Sequence, residues 1–170
     1  MSPAATVLTD AFGRVRDGVQ ACLDAVPADA LVSRPTRESN SIAWLIWHLS
    51  RVQDDHLAAA FGQPQVWHAG GWADKFGLPF DDADTGYGHS AEQVGAVDVS
   101  AGLLLDYHDA VTAATIGYLS AANLDLDRVV DADYDPPVTL GVRLVSVISD
   151  DLQHVGQAAY VRGLWDATHG

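Results

Sequence analysis

The stretch that most constrains the fold is Ile42-Ala43-Trp44-Leu45-Ile46-Trp47-His48-Leu49, which at helical spacing is apolar nearly all the way round. A helix of that kind needs neighbours on several sides, so the rest of the chain has to fold around it. Asn40 or Ser41 can cap it, and the pattern predicts a helix from about Ser41 to Phe61. Within this wall His48 is the one ionisable side chain, and Trp44, Arg51 and Asp55 fall on roughly the same side of the helix. A buried histidine there is either a core residue satisfied by a hydrogen bond or a ligand.

Three further helices have the same periodicity. Pro3 to roughly Val26 carries Val7, Leu8, Phe12, Val15, Val19 and Leu23 on one stripe and ends before Pro27. Cys22 lies in that stripe and reads as a small buried hydrophobe. A third helix runs from Ser100 to about Ala122; its His108 stands beside Asp106 and Asp109 and reads as solvated. A fourth runs from Leu140 to about Trp165, capped by Thr139 and kept from starting earlier by Pro136-Pro137. The aspartates between Asp125 and Asp135 do not make a calcium loop, because the required glycine is absent and Val142 stands at position twelve. The connector over residues 62–99 is rich in aromatics and glycine. It is expected to fold over one end of the bundle and shape a pocket, with short helices around Gly71 to Phe76 and after Ser90. The expected fold is all-α: one domain over residues 1–170, an up-down four-helix bundle with long connections.

Composition removes several functions. The formal net charge of -14 repels phosphate backbones, so nucleic acid and anionic membrane are excluded as partners. A single cysteine allows no intrachain disulfide, and no apolar run approaches the roughly 20 residues that span a bilayer. These features, with no export signal, point to the cytoplasm. With 48% hydrophobic residues, the apolar excess has to enter a core, a pocket or a subunit interface, and a homodimer is expected.

The last helix carries Asp150 and His154 four residues apart, stacked on one face a turn from each other. At 100° per residue Asp151 lies nearer the centre of the apolar face, so periodicity alone allows either aspartate as the partner of His154. A carboxylate aimed inward without a cation or several donors is costly, and a metal removes that cost. Joined to His48, the pair becomes two imidazoles and a carboxylate. That set leaves open positions on a divalent ion, zinc first, with nickel, iron or manganese also suited. Bundles commonly build such sites from facing helices.

The segment Ile42 to Leu49 and the pattern Asp150-x3-His154-x-Gly156-Gln157 resemble the DinB-like superfamily of four-helix metal-binding proteins. That superfamily includes mycothiol S-transferases and mycothiol-dependent maleylpyruvate isomerase. The family pattern is usually His-x3-His-x-Gly-Gln, so Asp150 stands where histidine is common. The resemblance places the metal ligands at His48, Asp150 and His154 and favours Asp150 over Asp151. It further implies that the metal binds the sulfur of a low-molecular-weight thiol such as mycothiol, for attack on a small electrophile. In that frame Asp55 is a supporting residue or base, and Asp151 an outer partner or alternative ligand. Trp44 and Arg51 would line the cofactor site, Arg51 receiving a carboxylate unless a helix-surface salt bridge with Asp54 or Asp55 occupies it. The alternatives are a hydrolase using metal-bound water, a non-catalytic bundle binding metal or small ligands, and a structural dimer with a vestigial site.

Overall fold

The computed structural model describes residues 2–120 and 124–169. Its long helices begin and end where local chemistry dictates. In α1 (Pro3–Leu23) the Ser2 hydroxyl accepts from Ala5 N and Pro3 occupies the first turn. A short α2 (Ala28–Val32) follows. In α3 (Ile42–Phe61) Ser41 caps Trp44 N, and Gly62 ends the helix in the left-handed conformation. The connector then folds α4 (Val66–Ala69), α5 (Trp72–Phe76) and α6 (Ala91–Gly95), the last started by a reciprocal capping box between Ser90 and Gln93. After α7 (Ala101–Ser120) come two short strands, β1 (Val129–Asp131) and β2 (Val138–Thr139). Finally, α8 (Leu140–His169) has Thr139 accepting from Val142 N. The expected extension of the third helix to Ala122 reaches residues outside those described.

Four long helices enclose the core. α8 packs on α3 and α1, and α7 packs on the same two helices. Residue pairs give their directions. Ser50 meets His108 and Gln53 meets Thr115, so α3 and α7 run parallel. By contrast His48 meets His154 while His56 meets Arg143, so α8 runs against α3. The long connector is therefore a crossover that carries the chain back before α7, which makes the order up-down-down-up. α3 is buried without interruption from Ile42 to Arg51, as its all-round apolar pattern requires.

The connector's aromatics pack inward on the bundle. Trp67, Trp72 and Phe76 gather round the buried Tyr107 ring, with centroids 5.1–5.7 Å away, and Phe80 packs on Trp47 at 5.6 Å. The β-hairpin was not expected. Its strands are two and three residues long, antiparallel with a bulge, and fastened to α8 by an Arg143–Asp131 ion pair of 2.9 Å. No helix among the described residues is long and apolar enough to cross a membrane.

Candidate metal centre

The heavily packed seam between α3 and α8 brings one α3 side chain against two from α8. His48, Asp150 and His154 each offer a ligand atom, and these atoms lie within 4.8 Å of one another. The two imidazole rings meet edge to face with centroids 4.7 Å apart. Hydrogen bonds define how each ring is presented. His48 Nδ1 contacts the Thr85 carbonyl oxygen, and His154 Nδ1 contacts the Asp150 carbonyl oxygen at 2.8 Å. A carbonyl can only accept, so both Nδ1 atoms carry the proton and each Nε2 keeps its lone pair for a cation.

The third donor is a carboxylate with an open valence. His154 Nδ1 lies 3.2 Å from Asp150 Oδ2, but its single hydrogen is committed to the nearer carbonyl. Asp150 Oδ2 is thus buried without a hydrogen bond. Two imidazole nitrogens and an orphaned carboxylate oxygen fit a divalent cation. The three groups polarise one another. Burial lowers the affinity of His48 for a proton. At His154 burial acts in the same direction, but the adjacent carboxylate and carbonyl oxygen of Asp150 outweigh it and leave the pKa raised. Burial raises Asp150, and the nearby histidines more than offset that and hold it below the usual carboxylate range.

The other expected site residues lie as follows. Trp44 stacks on the His48 ring at 4.6 Å and 13°, which makes it a wall of that imidazole. Arg51 is not on a helix surface: its side chain is wholly buried over Trp67. It donates to Gln65 Oε1 and to the carbonyls of Asp82 and Asp84, and Asp54 stands 3.7 Å away. The i+3 and i+4 carboxylates suggested a solvated pair, yet Asp54 turns inward to accept from Val66 N, Trp67 N and Tyr107 OH. Asp55 accepts from Gln65 Nε2 at 2.7 Å and approaches His56. Asp151 is fully buried with neither carboxyl oxygen hydrogen-bonded; burial, and after it the charge of Asp150, push its pKa well above the usual carboxylate range. His108 corrects the reading from its neighbours. It is buried between α3 and α7 and donates to Ser50, because Asp109 points away to Arg16.

Residues not singled out from sequence complete the surroundings. Asp84 and His89 lie on the loop behind His48, and a cavity of about 170 Å³ bounded by Val52, His56, Arg143, Ser146, Val147 and Asp150 reaches the triad from the hairpin side. No spacing rule marks these positions, because they depend on where the crossover returns.

A helical bundle with a His-Asp-His convergence on its central seam defines a DinB-like protein with a candidate metal site. The mycothiol-S-transferase family model matches residues 7–167, and the chain belongs to that family. The fold is similar to a crystal structure described as a conserved protein from Enterococcus faecalis. The two are 30% identical with a TM-score of 0.87 over 95% of this chain and 96% of that one. None of the curated proteins matches the chain.

Proposed function

We propose that this protein is a metal-dependent S-transferase that joins an external low-molecular-weight thiol, such as mycothiol, to a small electrophile. The observation that carries the reading is the convergence of His48, Asp150 and His154 in a member of the mycothiol-S-transferase family. His48 and His154 would hold the cation through Nε2 and Asp150 through its unpaired Oδ2, a mixed nitrogen and oxygen set for which zinc is the first choice. When bound, such a cation stabilises a thiolate at neutral pH.

The chain does not supply the sulfur itself. Cys22, its single cysteine, is buried in α1 and its thiol is pushed up to about 11 by that burial, so it stays protonated and unreactive. The protein's own contribution is to hold three donors at fixed spacing and to keep both imidazoles in the ligating tautomer. In the transfer the thiol loses its proton, a sulfur–carbon bond forms, and the leaving group departs with the bonding electron pair.

The test is thioether formation from a small thiol and an electrophilic dye, with and without added zinc. Chelation and either His48→Ala or His154→Ala are expected to lower the rate at least about 100-fold, about 2.7 kcal/mol of transition-state stabilisation. A rate independent of metal and of both histidines would contradict the proposal.

A further inference from the structure

We infer that His89 is a positioning residue for metal binding: through Trp44 and Asp84 it holds the loop that fixes the His48 ring. The segment over residues 82–89 is then a clasp behind the ligand. This rests on the reading of His48 as a metal ligand.

The two histidines of the triad are supported differently. His154 is oriented by the carbonyl of Asp150, one turn back on its own helix. His48 has no such support, because its Nδ1 partner is the Thr85 carbonyl, 37 residues away in the connector. The orientation of that ring is therefore only as well defined as the loop. Backbone approach there is close: Gly86 has φ +92, and a Cβ added to it would lie 2.9 Å from both His48 Nδ1 and Trp47 Cζ3.

Two sets of bonds hold the loop. From below, the buried Arg51 donates Nε to Asp84 O at 3.2 Å and Nη2 to Asp82 O at 3.4 Å. From above, His89 closes a chain whose donors and acceptors are all determined. The Trp44 indole N–H can only donate, so His89 Nδ1 accepts it at 3.1 Å and the ring proton sits on Nε2. Nε2 then donates to Asp84 Oδ2 at 3.0 Å, while Asp84 Oδ1 accepts from Gly86 N at 2.7 Å. The His89 side chain is only 3% exposed and packs on Phe80 and Trp47, so water does not replace these bonds. One imidazole thus ties the indole stacked on His48 to the carboxylate that shapes the turn presenting Thr85 O. Without it, Trp44 Nε1 and Asp84 Oδ2 lose their partners together, and both supports of His48 loosen.

The test compares zinc affinity, by chelator competition, and the cobalt(II) absorption spectrum for wild type, His89→Leu, His89→Gln and Asp84→Asn, with circular dichroism as the check on folding. Glutamine can accept from Trp44 with its oxygen and donate to Asp84 with its nitrogen, so it restores the pattern that leucine removes. His89→Leu is expected to bind zinc about 10- to 100-fold more weakly, the usual effect of losing an outer hydrogen-bonding partner, and to shift the cobalt spectrum. His89→Gln should recover most of both, a rescue that lost packing alone does not produce. Asp84→Asn should weaken binding in the same direction and serves as the deciding variant if the leucine protein does not fold. Wild-type affinity in the folded leucine or asparagine protein, or glutamine as weak as leucine, would overturn the inference. His48→Ala separates the two levels: loss of metal there with wild-type affinity in His89→Leu sinks the clasp alone, whereas undiminished metal in His48→Ala sinks the site.

Discussion

His108 shows how far a single side chain can be read from its neighbours. Flanking aspartates suggest water, but on a helix the adjacent positions point elsewhere, and the imidazole lies wholly inside between Ser50 and Thr112. Ser50 spends its own proton on Ile46 O, so His108 Nδ1 donates to it and the ring is neutral. Burial lowers its pKa from 6.5 to about 4. Below 6.5 the unfolded chain takes up a proton that the folded one refuses. The contribution is therefore fully present above that pH and is lost toward pH 4 at about 1.4 kcal/mol per unit. Urea unfolding at pH 7 and pH 5 should show wild type losing about 2 kcal/mol more than His108→Gln over that interval. Equal losses would mean that the ring is solvated. Arg51 was misread for a related reason: nothing in an i+3 or i+4 carboxylate reveals that the partner has turned inward to cap α4 and bind Tyr107.

At the level of elements, the four long helices are legible because each carries a sustained apolar stripe, and His48 and His154 are legible because they interrupt one. Asp150 is different: periodicity leaves it tied with Asp151, and only the family pattern separates them. The hairpin carries no comparable signal, with strands of two and three residues set among aspartates. Nor can Asp84 and His89 be found from spacing, because their roles arise when the crossover loop meets α3. The glycines of the bundle differ in what they tolerate. Gly156 belongs to the family pattern, yet an added Cβ there meets nothing within 4 Å, whereas at Gly18 it would lie 3.0 Å from Val155 Cγ2, where α1 crosses α8. Gly156→Ala should therefore raise stability by about 0.5–1 kcal/mol through helix propensity, with zinc affinity unchanged. Gly18→Ala should fall short of that variant by about 1 kcal/mol or more, because Val155 has to move. Paired urea titrations check both, and a destabilised Gly156→Ala would show a contact that the bundle does not contain.

For the whole molecule, the site and the fold share one seam. Among the described residues α3 and α8 are the most extensively packed pair of helices, and the triad lies across them, so a cation held there would tie together what the core already joins. Binding to the folded state alone adds about 2.7 kcal/mol of stability at a free metal concentration 100 times the dissociation constant, and chelation removes it. The net charge of -14 adds self-repulsion that a bound cation would partly relieve. The central claim is that His48, Asp150 and His154 together hold one metal ion. The most direct measurement is zinc content per chain after equilibrium dialysis of tag-free protein, for wild type and for His48→Ala, Asp150→Ala and His154→Ala. The expected result is one zinc per wild-type chain and its loss in each variant, with helical circular dichroism retained. Zinc bound in the folded variants as in wild type would contradict it.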